Sequence, residues 1–273
     1  MLLPPTEIIL IGAAFALYLY DSVVLLFTNE AVMFPLRGGK WRLQFGSAKF
    51  QWCSQEIMLP NPLAPHRPLY RLTWTAGADG ATQSPAPPPP DVDYGWLPVL
   101  VWTMAFALFA LLPLGLFSRW GDLVIVAALL TFYGAAITAL AVLWPQRHRY
   151  QCNTKQFVHL AFESLTCPPF ALNLIRHLSL GRTQTADLVV AARAWQTADD
   201  WQGTRTVLSG RLQDELQWLD ESTEEAIILR GSLDSLMWSD VATPPASESA
   251  KNLTNPTLSA EAIVGDLRKD DRS

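Results

Sequence analysis

Apolar positions in this chain gather into three long blocks, residues 8–27, 96–117 and 123–144, each 20–22 residues long. A helix rising about 1.5 Å per residue then covers roughly the 30 Å of a bilayer's hydrocarbon core. The second and third blocks hold no charged residue, and a helix apolar on every side is a membrane span or a deeply buried rod. The pattern therefore predicts three transmembrane helices: one within 1–28, and a helical hairpin over 96–145. Trp96, Trp120 and Trp144 sit at block ends, where interfacial anchors belong. The opening "MLLPPTE" has no Lys or Arg and no convincing cleavage site, so the first block is expected to be a retained helix rather than a secretory signal.

Between the first two blocks the period changes to two. "AVMFPLRGGKWRLQF" places two apolar runs around Gly38-Gly39, a hairpin signal. Trp41, Leu43 and Phe45 alternate with Lys40, Arg42 and Gln44. Phe50 and Trp52 alternate with Lys49 and Gln51, and Tyr70, Leu72 and Trp74 with Arg71 and Thr73. Residues 29–75 thus predict one small antiparallel β-module with an aromatic face and a basic face. "LPNPLAPHRP" carries four prolines and is expected to be extended and outside the centre of any sheet. Residues 76–95 read as a Pro-rich linker returning to the membrane.

After the third block the period is helical. Asn153 and Gln156 form a capping box ahead of Phe157, Leu160 and Ala161. "CPP" at 167–169 breaks that helix and starts another, with Phe170, Leu174 and Leu178 on one face and an end near Gly181. Thr185 and Thr197 are positioned to cap further helices. Leu208, Leu212, Leu216 and Leu219 form a stripe, and Ser222 with Glu225 a second capping box. Residues 146–240 predict a small helical domain, and the polar stretch 241–273 a disordered tail.

Charge orients these parts. Residues 30–75 hold six basic and two acidic side chains, residues 146–186 five and one, and residues 187–240 four and eleven. The N-terminal tail has no basic residue and the hairpin "SRWGD" has only Arg119. By the positive-inside rule the N-terminus and that hairpin face outward, and the long loop and C-terminal region face the cytoplasm. Cys53, Cys152 and Cys167 then lie in a reducing compartment, so structural disulfides are not expected. The glycosylation sequon at Asn252 is inert there. The fold expected is an α+β integral membrane protein: three transmembrane helices, a small cytoplasmic antiparallel β-module and a cytoplasmic α-helical domain. Its expected place is a bacterial inner membrane.

Candidate chemistry is sparse. Asp21 stands inside the first apolar block. If the membrane begins at Ile8, Asp21 is roughly 9 Å from the inner end. If Pro4 marks the outer surface, it lies roughly 26 Å deep, at the inner interface, and "SVVLLF" leaves the helix for a strand. The interfacial placement is preferred, because one unpaired acid is weak support for transport. Were it buried, Thr103 and Thr138 would be its neighbours, with no basic partner in the spans. Gly12/Ala16 and Gly134/Thr138 are spaced for close helix approach. Trp41, Trp52 and Trp74 form the core of the sheet or a stacking surface. Arg42, Lys49 and Arg71 form a solvated face or one for anionic lipid headgroups. His159 and Glu163 lie four apart on a helix, with Cys167 and His177 not far along the chain, but a metal site needs a third ligand at a recognised spacing. A net charge of −5 and the lack of any motif argue against nucleic acid. No phosphate loop, dinucleotide fingerprint, nucleophile elbow or paired-carboxylate signature occurs, and no cofactor is indicated. The expectation is a membrane-anchored interaction protein that scaffolds, assembles or regulates another membrane protein. Its expected partners are the lipid bilayer and a membrane protein or a second copy. The alternative is a small transporter or channel subunit using Asp21.

Overall fold

The computed structural model of the chain describes residues 6–36, 38–74, 90, 93–119, 121–182, 187–219 and 223–238. The linker and tail expected at 76–95 and 241–273 fall almost wholly outside these residues, as do Trp120, Thr185 and Ser222.

The first apolar block divides. Helix α1 (Thr6–Ser22) has 17 residues, and after Val23 the chain enters strand β1 (Val24–Leu26). β1 pairs with β5 (Gln55–Met58), Val24 opposite Met58 and Leu26 opposite Glu56. The expectation of a single span over 1–28 is therefore corrected: the last quarter of the block leaves the helix, and its Val24 and Leu26 are apolar because they are sheet core. Among the described residues two segments, not three, are long and apolar enough by themselves to cross a membrane: Leu97–Phe117 and α4 (Gly121–Gln146). The former joins α2 (Leu97–Phe106) to α3 (Leu112–Phe117) through a π-helical turn, Ala107–Leu111. There the Leu112 N–H reaches back five residues to the Ala107 carbonyl. Pro113 follows at once. Its ring cannot sit against an ordinary α-helical carbonyl ladder, and the widened turn makes room for it.

The single expected sheet is two three-stranded antiparallel sheets, ordered β1-β5-β4 and β3-β2-β6. β2 (Glu30–Pro35) pairs with β3 (Trp41–Phe45) across the anticipated hairpin, where Gly38 and Gly39 take the left-handed φ of 82° and 74°. β2 also pairs with β6 (Tyr70–Thr73), Ala31 opposite Leu72 and Met33 opposite Tyr70. The chain changes sheets at Gly46, between β3 and β4 (Ser47–Trp52). A Cβ at Gly46 would collide with Glu56, so only glycine lets the strands pass so closely.

β2 is buried on both faces. Ala31 and Met33 join Trp41, Tyr70, Leu72 and Trp74 against α8 (Leu188–Trp195), α9 (Ala198–Leu216) and α10 (Glu224–Trp238). Val32 and Phe34 pack against Val24, Leu26 and Met58 of the other sheet. The Trp41 ring lies 5.4 Å from Trp195 and 5.8 Å from Tyr70, centroid to centroid. The predicted aromatic face thus exists for β3 and β6 but not for β4. Between Ser47 and Gln51 the register with β5 slips, and Phe50 and Trp52 are left 68% and 66% exposed.

A third core runs from the apolar helices into α5 (Thr154–Thr166), α6 (Pro168–Ala171) and α7 (Leu174–Leu180) without a break. Tyr94, just ahead of α2, stacks on Tyr150, just past α4, at 5.2 Å. The start of α2 and the end of α4 therefore share one end of the molecule. The Asn153/Gln156 capping box and the Thr197 cap are both formed. α8 is capped by Asp187, whose side chain accepts from the Val189 N–H. Gly12 and Gly134 have nothing within 4 Å of a Cβ position, whereas Gly115 sits tightly against Ile125. The close helix approach lies at the α3–α4 turn and not at the anticipated pairs.

Candidate functional site

The foot of α1 is built from short-range polar contacts across long stretches of chain. Asp21 Oδ2 accepts from Asn173 Nδ2 at 2.8 Å and lies 3.0 Å from His177 Nε2. Its side chain is 10% exposed. Ser22 Oγ, one residue on, lies 3.0 Å from both Asn173 Nδ2 and Arg176 Nη1. Arg176 Nη1 also donates to Asn173 Oδ1 at 2.9 Å, and Nη2 donates to the carbonyls of Asn61 and Ala64 at 2.7 and 3.1 Å. Burial pulls the Arg176 guanidinium below its usual pKa, because removal from water disfavours its charged form. Asn173 stands at the N-cap of α7 yet makes no side-chain cap bond, because its amide is turned onto α1.

The proline-rich segment is held by the same helices. Instead of running extended it folds into two turns, the Ala64 N–H bonding the Asn61 carbonyl and the Arg67 N–H the Ala64 carbonyl. Tyr18 of α1 donates to the Pro62 carbonyl, Trp102 of α2 to His66 Nδ1 at 3.0 Å, and the Leu69 N–H to Ser179 Oγ of α7 at 2.8 Å. Prolines remove donors from the segment, so its carbonyls need partners from elsewhere. Helix side chains supply them.

Asp21 therefore has a basic neighbour, and it comes from α7 and not from the spans. Thr103 and Thr138, the neighbours expected for a buried Asp21, bond the carbonyls of Val99 and Gly134 on their own helices. Sequence reasoning missed Asn173 and Arg176, and it weighed His177 only beside His159 and Glu163, not as a partner of Asp21. The signal was present: three polar residues at i, i+3 and i+4 within the apolar stretch "FALNLIRHLSL".

Beside this cluster lies a cavity of about 640 Å³, lined by the turn Tyr150 to Cys152, by Lys155, His159 and Glu163 of α5, and by His177 of α7. His159 Nδ1 and Glu163 Oε2 are 3.1 Å apart. No group of three metal-ligating side chains forms among the described residues. Burial pushes the Cys152 and Cys167 thiols up, away from the thiolate that a nucleophile requires.

The remaining sequence candidates separate. Trp41 and Trp74 are core. Arg71 is half-buried, bonding the Leu25 carbonyl at 3.1 Å and lying 3.7 Å from Glu30. Arg42, Lys49 and Trp52 are exposed, and the last two stand with Phe50 on β4, an edge strand. Comparison with protein-family models, with curated proteins and with solved structures finds no match to this chain.

Proposed function

We propose that this chain is a membrane-anchored interaction protein, a scaffold, assembly or regulatory factor for another protein of the same membrane. The observation that carries this reading is the edge strand β4. It presents Lys49, Phe50 and Trp52 uncovered, while the sheet behind it is fixed through β1 to the foot of α1. An uncovered strand edge bearing large aromatics is a ready surface for a partner chain. In this reading α1 is the third span. Its outer side chains Ile8, Ile9, Phe15 and Tyr20 are exposed, and Phe15 and Tyr18 pack on Phe109 at 6.0 and 5.8 Å. The Lys/Arg distribution puts the N-terminus outside and the sheets and α5–α10 in the cytoplasm, with a bacterial inner membrane as the matching location.

Affinity purification of the full chain from native membranes tests the proposal. A stoichiometric partner that is retained by the wild type and lost from Phe50→Ala/Trp52→Ala is the expected result. Retention of the same partner by the double variant overturns the role of β4.

A second reading, a transporter or channel subunit using Asp21, draws on one observation: His177, in contact with Asp21, lines an open cavity. It gains if Asp21→Asn inserts normally but loses function with a pH-dependent defect, and if the purified protein is a lone oligomer.

A further inference from the structure

Helix α5 has more apolar surface than the protein covers. Phe157, Leu160 and Ser164 face the core. Lys155, Gln156, His159 and Glu163 line the cavity on an adjoining face, which Leu160 borders. On the remaining side, Val158 and Phe162 project at 57% and 67% exposure, one helical turn apart. None of the described residues covers them.

The placement of α5 says what does. The chain passes from the end of α4 to the Asn153 cap in seven residues, 147 to 153. Phe157 then packs on Trp144, the last aromatic of α4, at 5.1 Å. At its other end α5 meets α6, which packs on α1. The helix therefore runs crosswise, from the foot of one apolar helix to the foot of another. On α4, to which α5 is joined at its Asn153 end, Leu130, Ile137 and Trp144 are also uncovered, at seven-residue intervals. Cationic groups flank the exposed pair: Lys155 in the first turn of α5, and Arg147 stacked 4.2 Å over the Trp144 ring. An apolar stripe bordered by long cations and an interfacial Trp is the pattern of a helix lying in the plane of a bilayer surface.

We infer that α5 is an in-plane interfacial helix, with Val158 and Phe162 inserted among acyl chains, Arg147 among lipid headgroups, and Lys155 at the rim where headgroups meet the cavity. The cavity then opens toward the aqueous phase, not into the lipid. The inference rests on the membrane reading above, and its test separates the two.

The full chain, with Cys53, Cys152 and Cys167 replaced by Ser, is reconstituted into phosphatidylethanolamine–phosphatidylglycerol vesicles. Nitroxide labels are placed singly through Val158→Cys, Phe162→Cys, His159→Cys and Leu130→Cys. Collision with oxygen and with a water-soluble nickel chelate is read at each. Expected are oxygen-dominated collisions at 130, 158 and 162 and nickel-dominated collisions at 159. Water-like readings at 158 and 162 beside a lipid-like reading at 130 overturn the inference and leave the membrane reading standing. Shielding of 158 and 162 from both reagents overturns it in favour of a protein cover. A water-like reading at 130 overturns both.

Discussion

Arg211 of α9 grips Glu56 of β5 with both prongs of its guanidinium, Nη1 to Oε1 at 3.0 Å and Nη2 to Oε2 at 2.8 Å. The same group donates to the Gly46 carbonyl at 2.9 Å and lies over the Phe45 ring at 4.7 Å. Glu56 is 3% exposed in its side chain and Arg211 21%. The charges run opposite to the regional bias, which is basic in the strands and acidic in the distal helices. General charge complementarity therefore does not join these parts. Apolar burial does, and one specific pair fixes the register.

Removing one partner leaves the other buried and unpaired. Arg211→Ala and Glu56→Ala should each destabilise the full chain by about 3 kcal/mol. The double variant should cost less than the sum, because no uncompensated charge remains. Thermal unfolding in detergent, arranged as a double-mutant cycle, reads the coupling. An additive result would mean that the pair contributes nothing beyond its separate packing.

Trp41 and Trp52 carry the same side chain and should behave oppositely. Trp41→Ala opens a cavity between Tyr70 and Trp195 and should cost about 3–5 kcal/mol. Trp52→Ala removes an exposed ring and should stay within about 0.5 kcal/mol. Comparable losses from the two would place Trp52 in a core.

At the foot of α1, Asp21→Asn keeps an oxygen acceptor facing Asn173 and should insert and fold at close to the wild-type level. Arg176→Leu removes the charged donor from the Asn61 and Ala64 carbonyls and leaves each with only its turn N–H, at a cost of about 1.5–3 kcal/mol per lost bond. Limited proteolysis should then cut within residues 59–69 sooner than in wild type. Unchanged cleavage would show that Tyr18, Trp102 and Ser179 suffice to hold that segment.

Orientation is checked with reporter fusions at positions 93, 120 and 273. The Lys/Arg asymmetry leads us to expect cytoplasmic signals from the first and last, and an outside signal from the middle one. An outside signal at 93 would reverse the compartment assigned to the sheets.

Local patterns carried much of the architecture. Two uncharged apolar blocks, the Gly38-Gly39 hairpin, the Asn153 capping box and the Thr197 cap each depend on residues within a few positions of one another, and each was legible in the sequence. The end of α1 was legible only as an option beside a full span, because Val24 and Leu26 are equally apolar as lipid-facing helix or as sheet core. Only pairing with Met58 and Glu56, more than 25 residues away, selects the strand. Trp52 shares the alternation of Trp41, but the slip between Ser47 and Gln51 takes β4 out of the covered face. The Asp21 partners lie about 150 residues downstream, a separation that no local periodicity encodes.

That separation also has a meaning in time. Asn173 leaves the ribosome 152 residues after Asp21, which at roughly 5–20 residues per second is a delay of about 8–30 s. Throughout that interval α1 exists without α7. If α1 is the third span, as proposed above, its carboxylate must meanwhile be tolerated by water and headgroups alone, and a charge near the middle of the helix would be costly during the wait. One at the last turn is hydrated until its partner is synthesised, so its position suits the order of assembly as well as the finished structure.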